Sequence, residues 1–111
     1  MAKELKYVML LDCYGVLLTE HQRSIMEMYY CEDLSLAEIS GPLGITRQAV
    51  MSMIKRTEAI LNDYEEKLGF ARRLRAMLMC IDKIETASAD IGDERLKNII
   101  SGETAAIREL L

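Results

Sequence analysis

The stretch LSLAEISGPLGITRQAVMSMIKR, from Leu34 to Arg56, constrains the fold more than any other part of the chain. Ser35 followed three places on by Glu38 is a capping box: the hydroxyl accepts from the third backbone N–H of a new helix, and the carboxylate reaches back to the cap. Thr46 is placed to cap a second helix. Between and after these caps stand Ser40, Gly44 and Val50. A small residue, a turn glycine and an apolar residue in that order are what two steeply crossing helices require. The small side chain permits close approach, the glycine takes up a left-handed backbone, and the apolar residue fixes the second helix. The pattern predicts a helix-turn-helix, with Ile39, Leu43, Ile45, Val50 and Met53 or Ile54 buried between its helices. Pro42 lacks the N–H that would bond the carbonyl four residues back, so the first motif helix is expected to be short, kinked or ended near Gly41.

The rest of the chain fits the same class. With 111 residues, half of them apolar, it is long enough for one domain spanning 1–111, with a helix-turn-helix core at 19–68 and further helices at 70–111. A single Pro and a wealth of Leu, Ile, Met and Ala favour helix over strand. The expected fold is all-α, a helix-turn-helix without a wing. Leu5, Val8, Met9, Tyr14 or Cys13, and Leu17 trace an imperfect first stripe that stops around Gly15. Thr19 with Gln22 makes a capping box for a second helix from Glu20 to about Tyr30, with Ile25, Met28 and Tyr29 on one face. Ala49, Val50, Met53, Ile54, Leu61, Tyr64 and Leu68 carry the long motif helix to about Lys67, and Gly69 is placed to end it. Leu74, Met77, Leu78, Ile81 and Ile84 mark a fifth helix. Leu96, Ile99, Ile100, Ala106, Ile107, Leu110 and Leu111 mark a sixth.

The net charge is −4, yet basic residues gather where the motif lies. Between residues 35 and 57, Arg47, Lys55 and Arg56 stand against Glu38 alone. Burial of Val50 and Ile54 leaves Arg47, Gln48, Met51, Ser52, Lys55 and Arg56 mostly on the outer side of the second motif helix, the side that enters a major groove. Arg47 suits guanine and Gln48 suits adenine, while Ser52, Lys55 and Arg56 suit phosphates. Thr46 and the free N–H groups of the helix start add a phosphate site. The competing reading is a generic helical turn with a solvated basic face. Three cations neutralise about three phosphates, fewer than the roughly six to ten of a firm DNA binder, so one chain alone grips weakly. A dimer doubles the contacts, and Arg72, Arg73 and Arg75 add to them if the fifth helix lies beside the groove. The acidic residues Glu20, Glu27, Glu32 and Asp33 then have to face away.

Three pieces, YG.LLT from Tyr14, YY.EDLSL.EI from Tyr29 and I.RQAV...IKR from Ile45, together resemble the YlxM-type proteins, small bacterial proteins whose genes lie beside that of the signal recognition particle GTPase. The likeness covers residues 14–70, and that family is similar in turn to region 4 of sigma-70-type factors. It implies an all-helical fold and a regulatory or accessory role in the signal recognition particle pathway. The segment SGPLG departs from the pattern, placing Ser40, Gly41 and Pro42 where sigma-like sequences continue a regular helix. From Ala71 on, the match is one of helical, charged character only.

Two functions follow as expectations: a nucleic-acid-binding accessory protein, with DNA or signal recognition particle RNA as ligand, or a protein-interaction module that docks the particle's GTPase. Neither requires a cofactor. An enzyme is disfavoured: His21 is alone at a helix start, and no phosphate-binding glycine loop, HExxH or GxSxG is present. Cys13, Cys31 and Cys80 are scattered, with no C-x-x-C pair, and are expected as small buried side chains of a cytoplasmic protein. No leader signature and no run of about eighteen apolar residues occurs, so no membrane insertion is expected. The apolar excess of the last two helices suggests a homodimer surface, packing onto the first four helices being the alternative.

Overall fold

The computed structural model describes residues 3–111. Among them the chain is helical with no strand, in the order α1 (Lys6–Tyr14), α2 (Glu20–Met26), α3 (Leu36–Leu43), α4 (Arg47–Leu68), α5 (Phe70–Ser88) and α6 (Glu94–Leu110). A 3-10 turn, Gly15–Leu17, follows α1, and a π segment, Glu27–Cys31, prolongs α2. The chain divides into two compact units, one ending at Ala71 and the other starting at Arg72, so that α5 begins in the first and continues in the second.

The capping boxes at Thr19–Gln22 and Ser35–Glu38 both form, with side chain and backbone satisfied in each direction. Gly69 adopts φ 61° and its N–H donates to the Glu65 carbonyl, ending α4 as expected. In the first unit Tyr7, Leu10, Leu11, Tyr14, Ile25, Met26, Ile39, Val50, Ile54 and Leu61 form one continuous core. Long-range hydrogen bonds lace it together. The Tyr14 hydroxyl donates to Glu65 Oε1 at 2.6 Å and accepts from the Phe70 N–H at 3.0 Å, while Ala71 N–H also reaches Glu65 Oε1 at 3.0 Å. Asn62 Nδ2 donates to the Tyr7 hydroxyl at 2.9 Å.

Several sequence expectations are corrected. The α1 stripe is Tyr7, Leu10, Leu11 and Tyr14, whereas Leu5 is 79% exposed and Met9 and Leu17 face outward. Helix α3 neither stops at Gly41 nor is cut by Pro42. The proline sits in its last turn, where a single bond is lost, and the helix continues to Leu43. Leu43 and Ile45, expected between the motif helices, are 41% and 37% exposed. Cys31 and Cys80 are exposed rather than buried, and Cys13 is half-buried; all three are free thiols. Burial first, then Glu65 and Asp12, push the Cys13 thiol up, and burial followed by Glu27, Asp12 and Glu32 does the same at Cys31. Both are thus held in the thiol form more firmly than a free cysteine.

The second unit buries little. Ile81 is covered and Leu74 and Leu78 are half-buried, but Met77 and Ile84, counted among the apolar stripe of α5, are exposed. In α6, Leu96, Ile99, Ile107 and Leu110 are also exposed, Leu110 by 86%. Arg108 joins the two helices through Glu85 Oε1 at 2.9 Å and Asp82 Oδ1 at 2.6 Å. No helix among the described residues is long and apolar enough to cross a membrane.

Candidate nucleic-acid interface

The site is built on the turn between α3 and α4. Gly44 takes φ 68° and ψ 25°, its N–H donating to the Gly41 carbonyl at 3.2 Å, while the Ile45 N–H reaches back to the Ser40 carbonyl at 3.3 Å. That pair of bonds is a Schellman closure, which satisfies the last carbonyls of α3 and needs a residue that tolerates positive φ. Nothing lies within 4 Å of a Cβ built on Gly44, so the requirement is one of backbone angle and not of space. Thr46 then caps α4, its Oγ1 accepting from the Ala49 N–H at 3.0 Å. Ser40 is buried at the crossing, as its role as the small motif residue requires, and Ile39, Val50 and Ile54 are fully covered.

These contacts fix which side of α4 faces outward. Val50, Ile54, Thr57 and Leu61 point into the core. Thr46, Arg47, Gln48, Ser52, Lys55 and Arg56 are exposed, and Met51 is half-buried. Gln48, Ser52 and Lys55 lie on the side of α4 away from the core residues, whereas Arg47 and Arg56, nine positions apart, stand half a turn from one another around the axis. Among the described residues neither Arg47 nor Arg56 has an ion-pair partner, and Lys55 makes only a loose 3.9 Å approach to Glu58. The cap and first three turns of α4 thus carry two unengaged guanidinium groups, an amide, two hydroxyls and an ammonium. Such a set can donate to phosphate oxygens and base edges.

The sequence of this chain matches the profile of UPF0122, described as "Putative helix-turn-helix protein, YlxM / p13 like", over residues 1–99. The chain belongs to the UPF0122 family. A UPF0122 protein of Symbiobacterium thermophilum is 44% identical over 82 residues, covering 74% of this chain and 77% of its own length. One of Desulforamulus reducens is 42% identical over 102 residues, covering 86% and 87%. One of Caldanaerobacter subterraneus is 51% identical over 77 residues, covering 69% and 66%. The resemblance to YlxM-type proteins is therefore shown, and this UPF0122 chain is an all-helical member of a helix-turn-helix family.

A feature that sequence reasoning missed lies beside this face. A cleft of about 230 Å³ opens in the first unit, with Met51, Ile54, Lys55 and Glu58 of α4 along one side. Its other side carries Lys3, Glu4, Tyr7, Tyr29 and Tyr30. Tyr30 packs edge-on against Tyr29 at 5.0 Å between ring centroids and tilted against Tyr7 at 5.2 Å. Its hydroxyl donates to Glu58 Oε2. Burial, and then the hydrogen bond from the hydroxyl to Glu58, hold the Tyr30 hydroxyl well above its ordinary pKa. Lys3 spends its ammonium on the Tyr29 and Leu34 carbonyls at 2.6 and 2.7 Å and on Asp33 at 3.2 Å, and it covers the Tyr29 ring at 3.8 Å. The adjacent tyrosines of the YYCED stretch were the available signal; their register depends on the π segment, which has no signature in apolar spacing.

Proposed function

We propose that this protein is a nucleic-acid-binding accessory factor, not an enzyme, which grips its ligand with Thr46, Arg47, Gln48, Ser52, Lys55 and Arg56 at the start of α4. The observation that supports this is the exposure of all six side chains while Val50 and Ile54 are buried, with Arg47 and Arg56 without ion-pair partners among the described residues. On duplex DNA, Arg47 and Gln48 meet base edges and the remaining groups meet phosphates. On RNA, whose deep narrow groove excludes a helix, the same cations meet phosphates and shape. The likeness to YlxM-type proteins favours signal recognition particle RNA as the biological ligand and the cytoplasm as its place.

A homodimer completes this reading. One chain supplies about three cationic contacts where firm binding takes roughly six to ten, and the exposed Leu96, Ile99, Ile107 and Leu110 give α6 an apolar surface for a second copy. Leu43 and Ile45 favour a second reading. Two apolar side chains exposed at the turn suit a protein surface better than a phosphate backbone, so docking of the signal recognition particle GTPase is the alternative. A gel shift with duplex DNA, signal recognition particle RNA and the GTPase in parallel separates the two. Arg47→Ala and Lys55→Ala weaken the nucleic-acid lanes in the first reading. In the second, a salt-resistant GTPase complex forms and is lost with Leu43→Ser.

A further inference from the structure

We propose that the cleft between α4 and the Tyr29–Tyr30 pair is a binding site for an unstacked guanine base, carried by RNA or by a free guanine nucleotide. It extends the nucleic-acid reading and rests on it for a base carried by RNA, but not for the free nucleotide. About 230 Å³ walled by tyrosine rings admits one flat heterocycle and falls short of the roughly 300–1,000 Å³ typical of drug-sized ligands. Tyr7, Tyr29 and Tyr30 line the cleft, and with Lys3 over the Tyr29 ring and Tyr29 and Tyr30 meeting edge to face they offer a base aromatic contact along the wall.

Hydrogen bonding selects the base. Glu58 lines the cleft with its side chain only 13% exposed, one oxygen accepting from Tyr30 and the other loosely approached by Lys55 at 3.9 Å. Each carboxylate oxygen accepts more than one hydrogen bond, so both keep capacity toward the cleft. A carboxylate offers acceptors only. Guanine presents two adjacent donors, N1–H and the exocyclic amine, whereas adenine and cytosine present a donor beside an acceptor, which an acceptor-only carboxylate cannot match. The Tyr30 hydroxyl offers a further acceptor lone pair.

The guanidinium of a peptide arginine is the other ligand that a carboxylate between tyrosines invites. Two ammonium groups, Lys3 and Lys55, and two carboxylates, Glu4 and Glu58, line the cleft, so its formal charge is balanced and the choice falls to what its exposed cation can reach. Lys3 is committed to Tyr29, Leu34 and Asp33, whereas the Lys55 side chain is 71% exposed and can meet the nucleotide's phosphate.

The test is an NMR titration of the full chain with guanosine monophosphate, adenosine monophosphate, inorganic phosphate and N-acetylarginine amide, followed by unstructured octaribonucleotides with and without guanine. The guanine nucleotide should shift resonances of Tyr29, Tyr30, Glu58 and Lys55 and bind at least roughly fivefold tighter than the adenine one, the lower end of what a paired base contact discriminates. Glu58→Gln, which offers an amide donor to the same base, should abolish the preference. Wild-type shift mapping carries the test even if that variant folds poorly. Tighter binding of the guanine octamer than of the mononucleotide assigns the site to RNA, and equal binding assigns it to free nucleotide; both support the site. Equal shifts from adenine nucleotide or phosphate, or the arginine amide occupying the cleft instead, overturn it. If duplex DNA or signal recognition particle RNA still binds in a preparation where the guanine nucleotide does nothing, this inference fails and the proposed function stands.

Discussion

Tyr30 shows how one residue can carry both packing and chemistry. Its ring packs against Tyr7 and Tyr29 while its hydroxyl is committed to Glu58, and burial and that carboxylate raise its pKa above the ordinary value. The folded state therefore holds this proton more tightly than the unfolded chain does. Stability from the group is complete below the ordinary tyrosine value near pH 10 and falls as pH rises past it. Tyr14, raised by burial and then by its bond to Glu65, adds to the same alkaline window. Urea unfolding between about pH 8 and about pH 11 should show wild type losing stability more steeply than Tyr30→Phe. At pH 7 the variant should be weaker by about 1 kcal/mol, because Glu58 loses a hydrogen-bond donor. A Tyr30→Phe protein with the wild-type alkaline slope would contradict the assignment.

At the scale of elements, the turn between α3 and α4 is where geometry and sequence agree most closely. Gly44→Ala forces a side chain into a left-handed backbone and should cost about 1–2 kcal/mol, read as a lowered urea midpoint at unchanged slope. Thr46→Ala should cost about 1 kcal/mol through the lost cap, and Thr46→Ser should restore it. Both capping boxes, Gly44, Gly69 and the outward face of α4 were legible because each is a local device, decided within four residues of chain. The register of α1 was not. KYVMLLDCY is apolar on nearly every side, so spacing alone cannot choose a face. Tyr7 and Tyr14 choose it through Asn62 and Glu65, more than fifty positions away. Pro42 was legible as the mark of a short helix, and α3 has eight residues; it does not break the helix because a proline in the last turn removes one bond near an end whose carbonyls are already turned toward a Schellman closure. The exposed Leu43 and Ile45 were read as core because apolar spacing reports hydrophobicity, not coverage.

For the whole molecule, the distribution of apolar surface separates the two units. The first buries a continuous core around α4, whereas the second leaves the outer residues of α6 uncovered. A second copy at that face should appear as concentration-dependent sedimentation, abolished by Ile99→Asp with Ile107→Asp. A monomer at all concentrations would remove the dimer from the proposal. Binding by the first three turns of α4 is tested most directly by the salt dependence of nucleic-acid affinity, followed by fluorescence anisotropy. With Arg56 on a phosphate, Arg56→Ala should weaken binding to every sequence alike and flatten the slope of log affinity against log salt by about one for each chain engaged. An Arg56→Ala protein with wild-type affinity and wild-type slope would contradict the account.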